Sequence, residues 1–512
     1  MVIMAVTASK AGPSNMPSHS FKQAPLAGAF SIFITLALAT DAQAVEWRFT
    51  PYVSPAVTFT DNVNQSENNP QNAMILSVTP GFGLRSLGSR RIQASMNYSL
   101  TGVARFSDDN TTDLYHNLGA IGKAELIEDF LYVDGSANIS QGLISLFGSQ
   151  ATATTNDTNR TTVGSYSLSP YIQKRLGTFA TVQARYTNGG AIFGSNAAAS
   201  NSVTNAFTAS LTSGPRFNDL SWGLDYSIRQ TNNNGTTPQS TFERANLTLG
   251  YALTRKFRVF GTYGEESNDF LTANNASGSS YSVGFGWAPS RRTNIEASIG
   301  ERFFGRTYSL VGTHRTQASN WSVRYSEDVN DLSQMVVGDL KNRSIICQNP
   351  SSLPANATDP QKLAPPGCSL NLPYGTSIQS GVFIVKLLTA DVSWTKGRLG
   401  LGLNGFDTKR IYQGVSGAED HTQGVVGKVD YRLTPRTTAN TSLAFTRNTA
   451  TAVLLNGPAR QDDIVTLSLG LNHQFGKDLS GALTFRHQQR DSNIVNADYI
   501  ENSLTASANL RF

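Results

Sequence analysis

The last twelve residues, Glu501–Phe512 (ENSLTASANLRF), turn over with period two. Leu504, Ala506, Ala508, Leu510 and Phe512 fall on one side; Thr505, Ser507, Asn509 and Arg511 fall on the other. Alternation of this kind marks an extended strand whose two faces meet different surroundings. Chain ends in soluble proteins tend to be frayed and polar. This one runs through a strand to an aromatic residue.

The pattern recurs across the chain. In Tyr281–Trp287 (YSVGFGW), Tyr281, Val283, Phe285 and Trp287 oppose Ser282, Gly284 and Gly286. Within Ile464–Phe475, Val465, Leu467, Leu469, Leu471 and Phe475 oppose Thr466, Ser468, Gly470, Asn472 and Gln474. Arg91–Phe106 sets Ile92, Ala94, Met96, Tyr98 and Leu100 against Gln93, Ser95, Asn97, Ser99 and Thr101. Runs of about ten residues with a dyad repeat fit tilted strands crossing a bilayer. A soluble sandwich, β-helix or propeller with one buried face would show the same alternation.

Connection lengths separate these readings. Short turns recur as an aromatic residue, a Pro/Thr/Gly/Arg/Lys step and a new strand. Examples are YALTRKFRV (Tyr251–Val259), WAPSRRTNI (Trp287–Ile295), YRLTPRTTA (Tyr431–Ala439) and HQFGKDLSG (His473–Gly481). Between them lie polar stretches such as QTNNNGTTPQS (Gln230–Ser240) and NTATAVLLNGPARQDD (Asn448–Asp463). Short on one side and long on the other is the asymmetry of outer-membrane barrels. Tyr251, Trp287 and Tyr431 would then sit in the periplasmic aromatic girdle. The expected fold is an all-β, transmembrane antiparallel β-barrel. It has an even number of strands, about 18–22, with 22 candidates from Trp47 to Phe512. Arg306–Val329 reads either as two strands with a tight turn or as one strand and a loop.

Composition agrees. Charged residues make up 15 % of the 512, against 39 % hydrophobic, low beside the roughly 25 % charge of soluble domains. Beyond the N-terminus no apolar run reaches the ~18 residues of a membrane helix. Residues 1–44 read as a secretory leader. Lys10 and Lys22 supply positive charge, Leu26–Leu38 the apolar core, and Ala42-Gln43-Ala44 the cleavage site. The barrel would occupy 45–512, and translation could start at Met1 or Met16. A net charge of +5, scattered along the chain, gives no basic run for nucleic acid.

The longest connection, about 329–376, holds Pro350, Pro354, Pro360, Pro365, Pro366 and Pro373. Proline at that density cannot sit in a ladder, so this is an extracellular loop, folded over the mouth or projecting outward. It also carries both cysteines, Cys347 and Cys368. In the oxidising compartment that a leader implies, they are expected to form a disulfide. By chain entropy such a bond contributes on the order of 3 kcal/mol.

Strand parity points Asp225, Arg229, Arg244, Glu296, Arg302, Lys428, Asp430, Arg432, Arg486 and Arg511 inward. They could line a pore and set its selectivity. Equally, they could be the ordinary polar lining of a water-filled barrel, paired across strands. No catalytic, cofactor or metal site is expected. The five histidines after the leader are dispersed, and no G-x-S-x-G, H-E-x-x-H or P-loop motif occurs. A first strand beginning at Trp47 leaves no room for a plug domain before it.

Several segments resemble the PEP-CTERM system-associated outer-membrane proteins of exopolysaccharide loci. They are FTDNVN (Phe59–Asn64), NYSLTG (Asn97–Gly102), AELIEDFLYVDGSANISQ (Ala124–Gln141), FIVKLLTADVSWTKGR (Phe383–Arg398) and the final strand. The resemblance implies a barrel serving exopolysaccharide export or surface-matrix assembly, with exopolysaccharide or its export components as partners. A general diffusion porin and a structural or adhesive surface protein are the alternatives. The barrel would be embedded in outer-membrane lipid of a Gram-negative bacterium. A last strand ending Leu510-Arg511-Phe512 resembles the signal read by the outer-membrane assembly machinery.

Overall fold

The computed structural model describes residues 45–512, apart from 109, 151, 153–154, 156–157, 196, 198, 235–238, 271, 273–275, 338–343, 348–367 and 372–376. The leader expected over 1–44 lies outside the described residues. The first half of the chain forms β1 (Glu46–Thr60), β2 (Ala73–Leu87), β3 (Ile92–Phe106), β4 (Thr111–Ile127), β5 (Leu131–Leu143), β6 (Arg160–Leu176), β7 (Ala180–Phe193), β8 (Ser202–Ser213), β9 (Leu220–Asn233), β10 (Ser240–Thr254) and β11 (Phe257–Asp269). Next come β12 (Gly278–Ser290), β13 (Thr293–Arg302), β14 (Gly305–Arg315), β15 (Ser319–Asp331), a helical turn α1 (Leu332–Val337), and the short strands β16 (Ser344–Cys347) and β17 (Cys368–Asn371). The wall resumes with β18 (Val382–Lys396), β19 (Leu399–Tyr412), β20 (Glu419–Thr434), β21 (Thr437–Ala450), β22 (Arg460–Gln474), β23 (Leu479–Ser492) and β24 (Tyr499–Arg511).

Twenty-two of these strands make one sheet in which chain neighbours pair antiparallel; β15 pairs with β18. β24 pairs back onto β1, Thr505 opposite Thr58 and Leu504 opposite Phe59. The sheet therefore closes, and closure leaves no edge. The Arg306–Val329 stretch is two strands, β14 and β15, joined by a turn at 316–318.

The short turns share a chemical device. A Ser or Thr hydroxyl accepts a hydrogen bond from the backbone N–H two residues on: Thr254 from Lys256, Ser290 from Arg292, Thr316 from Ala318, and Thr434 from Arg436, each at 3.2 Å. The side chain stands in for a backbone turn bond. The recurring LTRK, PSRR and LTPR steps thus close hairpins at one rim.

The outer wall is apolar and uncovered. Tyr251, Val283, Trp287, Leu443 and Leu471 are all exposed, Val283 at 64 %. A soluble monomer does not carry such a surface around its circumference; lipid covers it in an outer-membrane barrel. Trp47, Tyr251, Trp287, Tyr431 and Phe475, close to the short-turn rim, are exposed on this face.

Buried apolar clusters gather at the long-loop rim instead. One joins Val163, Ala191 and Phe193 of the wall to Leu332 and Val336 of α1 and to Ile378. Another joins Leu146 and Phe147 to Ala450 and Leu454. The long loops are thus packed into the mouth.

The proline-rich connection differs from its expected 329–376 limits. β15 continues to Asp331, which pairs with Val382 of β18, so the loop spans 332–381. It contains α1 and the β16–β17 hairpin, whose backbone register places Cys347 opposite Cys368. The side chains of that expected disulfide lie outside the described residues.

Candidate functional site

The inward face consists of the lumen and, at the mouth, two loops that reach across in opposite directions. The first, residues 144–159, leaves β5 and β6 and reaches the far wall. Arg490 of β23 donates from Nη1 to the carbonyls of Phe147 (3.2 Å) and Gly148 (3.0 Å). Asn448 of β21 donates to Leu146 O at 3.5 Å. Gln65 Oε1 accepts from Ser149 Oγ (2.9 Å) and Gln150 N (2.8 Å), while its Nε2 donates to Glu501 at 2.7 Å. Gln65 does this with φ of 50°, a left-handed backbone that a side chain disfavours and the surrounding contacts hold.

The second loop, 332–381, leaves β15 and β18 and crosses the other way. Asp331 caps α1, its Oδ1 accepting from Gln334 N at 2.7 Å. Its Oδ2 accepts from Thr231 Oγ1 (3.0 Å) and Ser240 Oγ (3.3 Å) on β9 and β10. The loop's return leg forms a strut. Arg410 of β19 has no exposed surface. It binds both oxygens of Asp420, at 2.8 and 2.5 Å, and donates to Ser377 O (3.0 Å) and Ser377 Oγ (2.8 Å). The next residue, Ile378, donates its N–H to Leu143 O of β5 at 3.0 Å. β19 and β5 stand on nearly opposite sides of the closed sheet.

Ion pairs fix the rim that receives the loops. Asp462, fully buried, accepts from Arg460 Nε (2.8 Å) and Ser492 Oγ (2.6 Å). Glu501 meets Arg486 Nη1 at 3.6 Å. Arg160, at the start of β6, is also drawn in. Burial, reinforced by the charge of Arg486, pushes its guanidinium down to about 10, with Tyr115 opposing. It therefore stays cationic at neutral pH.

Of the residues singled out by parity, Arg302 and Arg244 converge on Glu266, at 2.7 and 3.5 Å. Arg302 also reaches Asp328 at 2.8 Å. Glu296 pairs with Arg258, and Arg486 meets Glu501 and Gln150 O. Arg229 lies over the ring of Phe242, 4.3 Å from its centroid. Asp225 stands opposite Asn246, and Arg511 opposite Tyr52. Lys428, Asp430 and Arg432 follow one another on the same face of β20 and are exposed. They do not converge on one point.

Parity missed the residues that hold the mouth: Arg105, Arg410, Arg490, Asp420, Asp462 and Glu501. The signal available was position, since each is a charge at the long-loop end of a strand.

Below the mouth, aromatic and charged side chains cluster on the wall. Tyr132 stacks on Tyr171 with centroids 5.0 Å apart, Lys123 Nζ sits 5.2 Å from the Tyr132 ring, and Arg185 Cζ lies 3.9 Å over Tyr171. Arg185 also pairs with Asp134 at 2.9 Å. Nearer the short-turn rim, Arg48 of β1 stands directly opposite Arg85 of β2, both exposed. Opposed like charges repel, so an anion between this pair would be stabilised.

No family model matches this chain, and no curated protein matches it. Solved structures do. The siderophore receptor PirA from Pseudomonas aeruginosa aligns over 92 % of this chain and 81 % of its own, at 11 % identity and TM-score 0.44. The PirA receptor from Acinetobacter baumannii aligns over the same shares at 10 % identity and TM-score 0.48. The FrpB iron transporter from Neisseria meningitidis aligns over 90 % of this chain and 81 % of its own, at 10 % identity and TM-score 0.47. Likeness at this identity is likeness of fold. These barrels are described as receptors and a transporter, and none as a protein of exopolysaccharide export or matrix assembly. The expectation of such a role is corrected accordingly.

Proposed function

We propose that this barrel is a gated outer-membrane channel for a polar, anionic solute, closed on the extracellular side at rest. The observation that carries it is the mouth: two loops reach across it in opposite directions, 144–159 held by the buried Arg490 of β23, and 332–381 seated on Val163, Ala191 and Phe193 and bonded from Ile378 N to Leu143 O, with Arg410 fixing its return leg. The exposed Arg48 and Arg85 further down supply the anion preference.

The test is purified protein in a planar bilayer. The expected trace is a mostly closed state with brief openings and a reversal potential favouring anions. Phe147→Asp combined with Val336→Asp, which drives both loops out of their apolar seats, should give a lasting open state. Steady full conductance from the unaltered protein, or cation selectivity, would overturn the reading.

The same reading places the barrel in a Gram-negative outer membrane after removal of residues 1–44. Mass determination of the native N-terminus checks the cleavage after Ala44. Assembly through the terminal Leu510 and Phe512 is checked by Phe512→Ser, which should lower barrel yield. Descent from the PEP-CTERM-associated barrels is retained as a proposal about ancestry and carries no role with it.

A further inference from the structure

The wall is not uniformly sewn. Between β14 and β15 the ladder runs from Arg315/Asn320 to Leu310/Tyr325 and stops. Above that point Gly305–Ser309 pair only with β13, and Ser326–Asp331 only with β18. Between β4 and β5 the ladder stops at Leu118/Ile139. Above it Thr111–Asn117 stay paired with β3, and Ser140–Leu143 with β6. By contrast, the β15–β18, β18–β19 and β21–β22 ladders continue to the top of their strands. The two unsewn seams stand on nearly opposite sides of the sheet. They divide its extracellular half into two shells, β5–β14 and β15–β4.

Each seam is bridged by an arginine that bonds both shells. Arg302 of β13 holds Glu266 of its own shell and Asp328 of the other. Arg105 of β3 pairs with Asp113 and donates to Tyr115 OH at 2.8 Å within its own shell; its Nε donates to Thr155 O, at 3.0 Å, in the loop of the other. The loops are exchanged on the same plan. Residues 144–159 belong to the first shell and seat on the second. α1 belongs to the second and seats on Val163, Ala191 and Phe193 of the first. One residue below the β4–β5 break stands Gly119, and a glycine inside a strand weakens it locally.

We propose that the mouth opens by parting these two seams, with Arg302 and Arg105 as the latches, so that each shell carries its loop out of the other. Ladder hydrogen bonds need not break, because along both seams they are already absent. Withdrawal of the loops alone, from a rigid wall, is the competing mechanism.

Cysteine pairs placed by extending each register test it: Ser309→Cys with Ser326→Cys, and Asn117→Cys with Ser140→Cys, in a Cys347→Ser, Cys368→Ser background. Oxidation, or a bifunctional thiol reagent where the gap is wider, should join each pair. Joining both should abolish bilayer openings, and reduction or a cleavable spacer should restore them. Thr449→Cys with Gln461→Cys, on a fully paired seam, should leave openings unchanged. Arg302→Gln and Arg105→Gln should each raise the open fraction several-fold. Openings that persist with both seams joined, or cysteines that no reagent joins, would overturn the proposal.

Amide exchange gives a readout independent of conductance. Seam-facing amides of 111–117, 305–309 and 326–330 should exchange well ahead of the β21–β22 ladder. Equal protection would refute the seams. A barrel that never conducts but shows this exchange would refute the channel reading alone.

Discussion

Arg410 shows how much of the mouth rests on single side chains. It has no exposed surface and spends its donors on Asp420 and Ser377. Arg410→Met leaves Asp420 as a buried charge without its partner, which costs about 3–5 kcal/mol. Urea unfolding in vesicles, followed by tryptophan fluorescence, should show that loss. Adding Asp420→Leu should recover most of the stability, since a buried pair replaced by apolar groups is often neutral. It should not restore closure, because Ser377 still lacks its anchor; bilayer recordings separate the two effects. Gly142 is the opposite kind of contact. A Cβ there would stand 2.7 Å from Ile378 Cδ1 and 2.8 Å from Val163 Cγ2. Gly142→Val should therefore push Ile378 off β5 at about 1–3 kcal/mol and raise the open fraction. Ile378→Ala in the same chain should bring it back down.

At the scale of elements, α1 is too short to be stable alone and exists because its apolar side is buried. Val336→Asp places a carboxylate against Val163, Ala191 and Phe193 and should unseat the turn at on the order of 3 kcal/mol. Cells carrying it should become sensitive to large antibiotics such as vancomycin, with the barrel still shifting on unboiled gels. The strands were legible in the sequence because period two is local: Tyr281–Trp287 and Ile464–Phe475 announce two faces without reference to anything distant. The hairpin at 316–318 was only half legible, since Thr316 closes it through a bond to Ala318 that no alternation reveals. The loop seats were not legible at all. Phe147 meets Ala450 and Arg490 meets Gly148 only after the sheet has closed, and nothing in either segment's own pattern records that meeting. The exopolysaccharide role failed for a related reason: its supporting segments lie mostly in strands and their turns, which specify a wall and not a cargo.

For the whole molecule the decisive property is separation of tasks along the barrel axis. Closure belongs to the extracellular end, where Arg410, Arg490 and Gln65 hold loops. Charge preference belongs to the other end, where Arg48 faces Arg85. The two sets lie at opposite ends of long strands, much further apart than the ~8 Å over which exposed charges act at physiological salt, and they share no partner. Distant sites of this kind act additively. Arg48→Glu with Arg85→Glu should therefore shift the reversal potential toward cations and leave the open fraction untouched. Phe147→Asp with Val336→Asp should do the reverse. The chain carrying all four changes should show both effects at full size, with the open fraction of the loop variant and the selectivity of the charge variant. A combined variant whose selectivity depended on the loop changes would mean that the loops themselves line the conducting path, and the division between mouth and lumen would have to be redrawn.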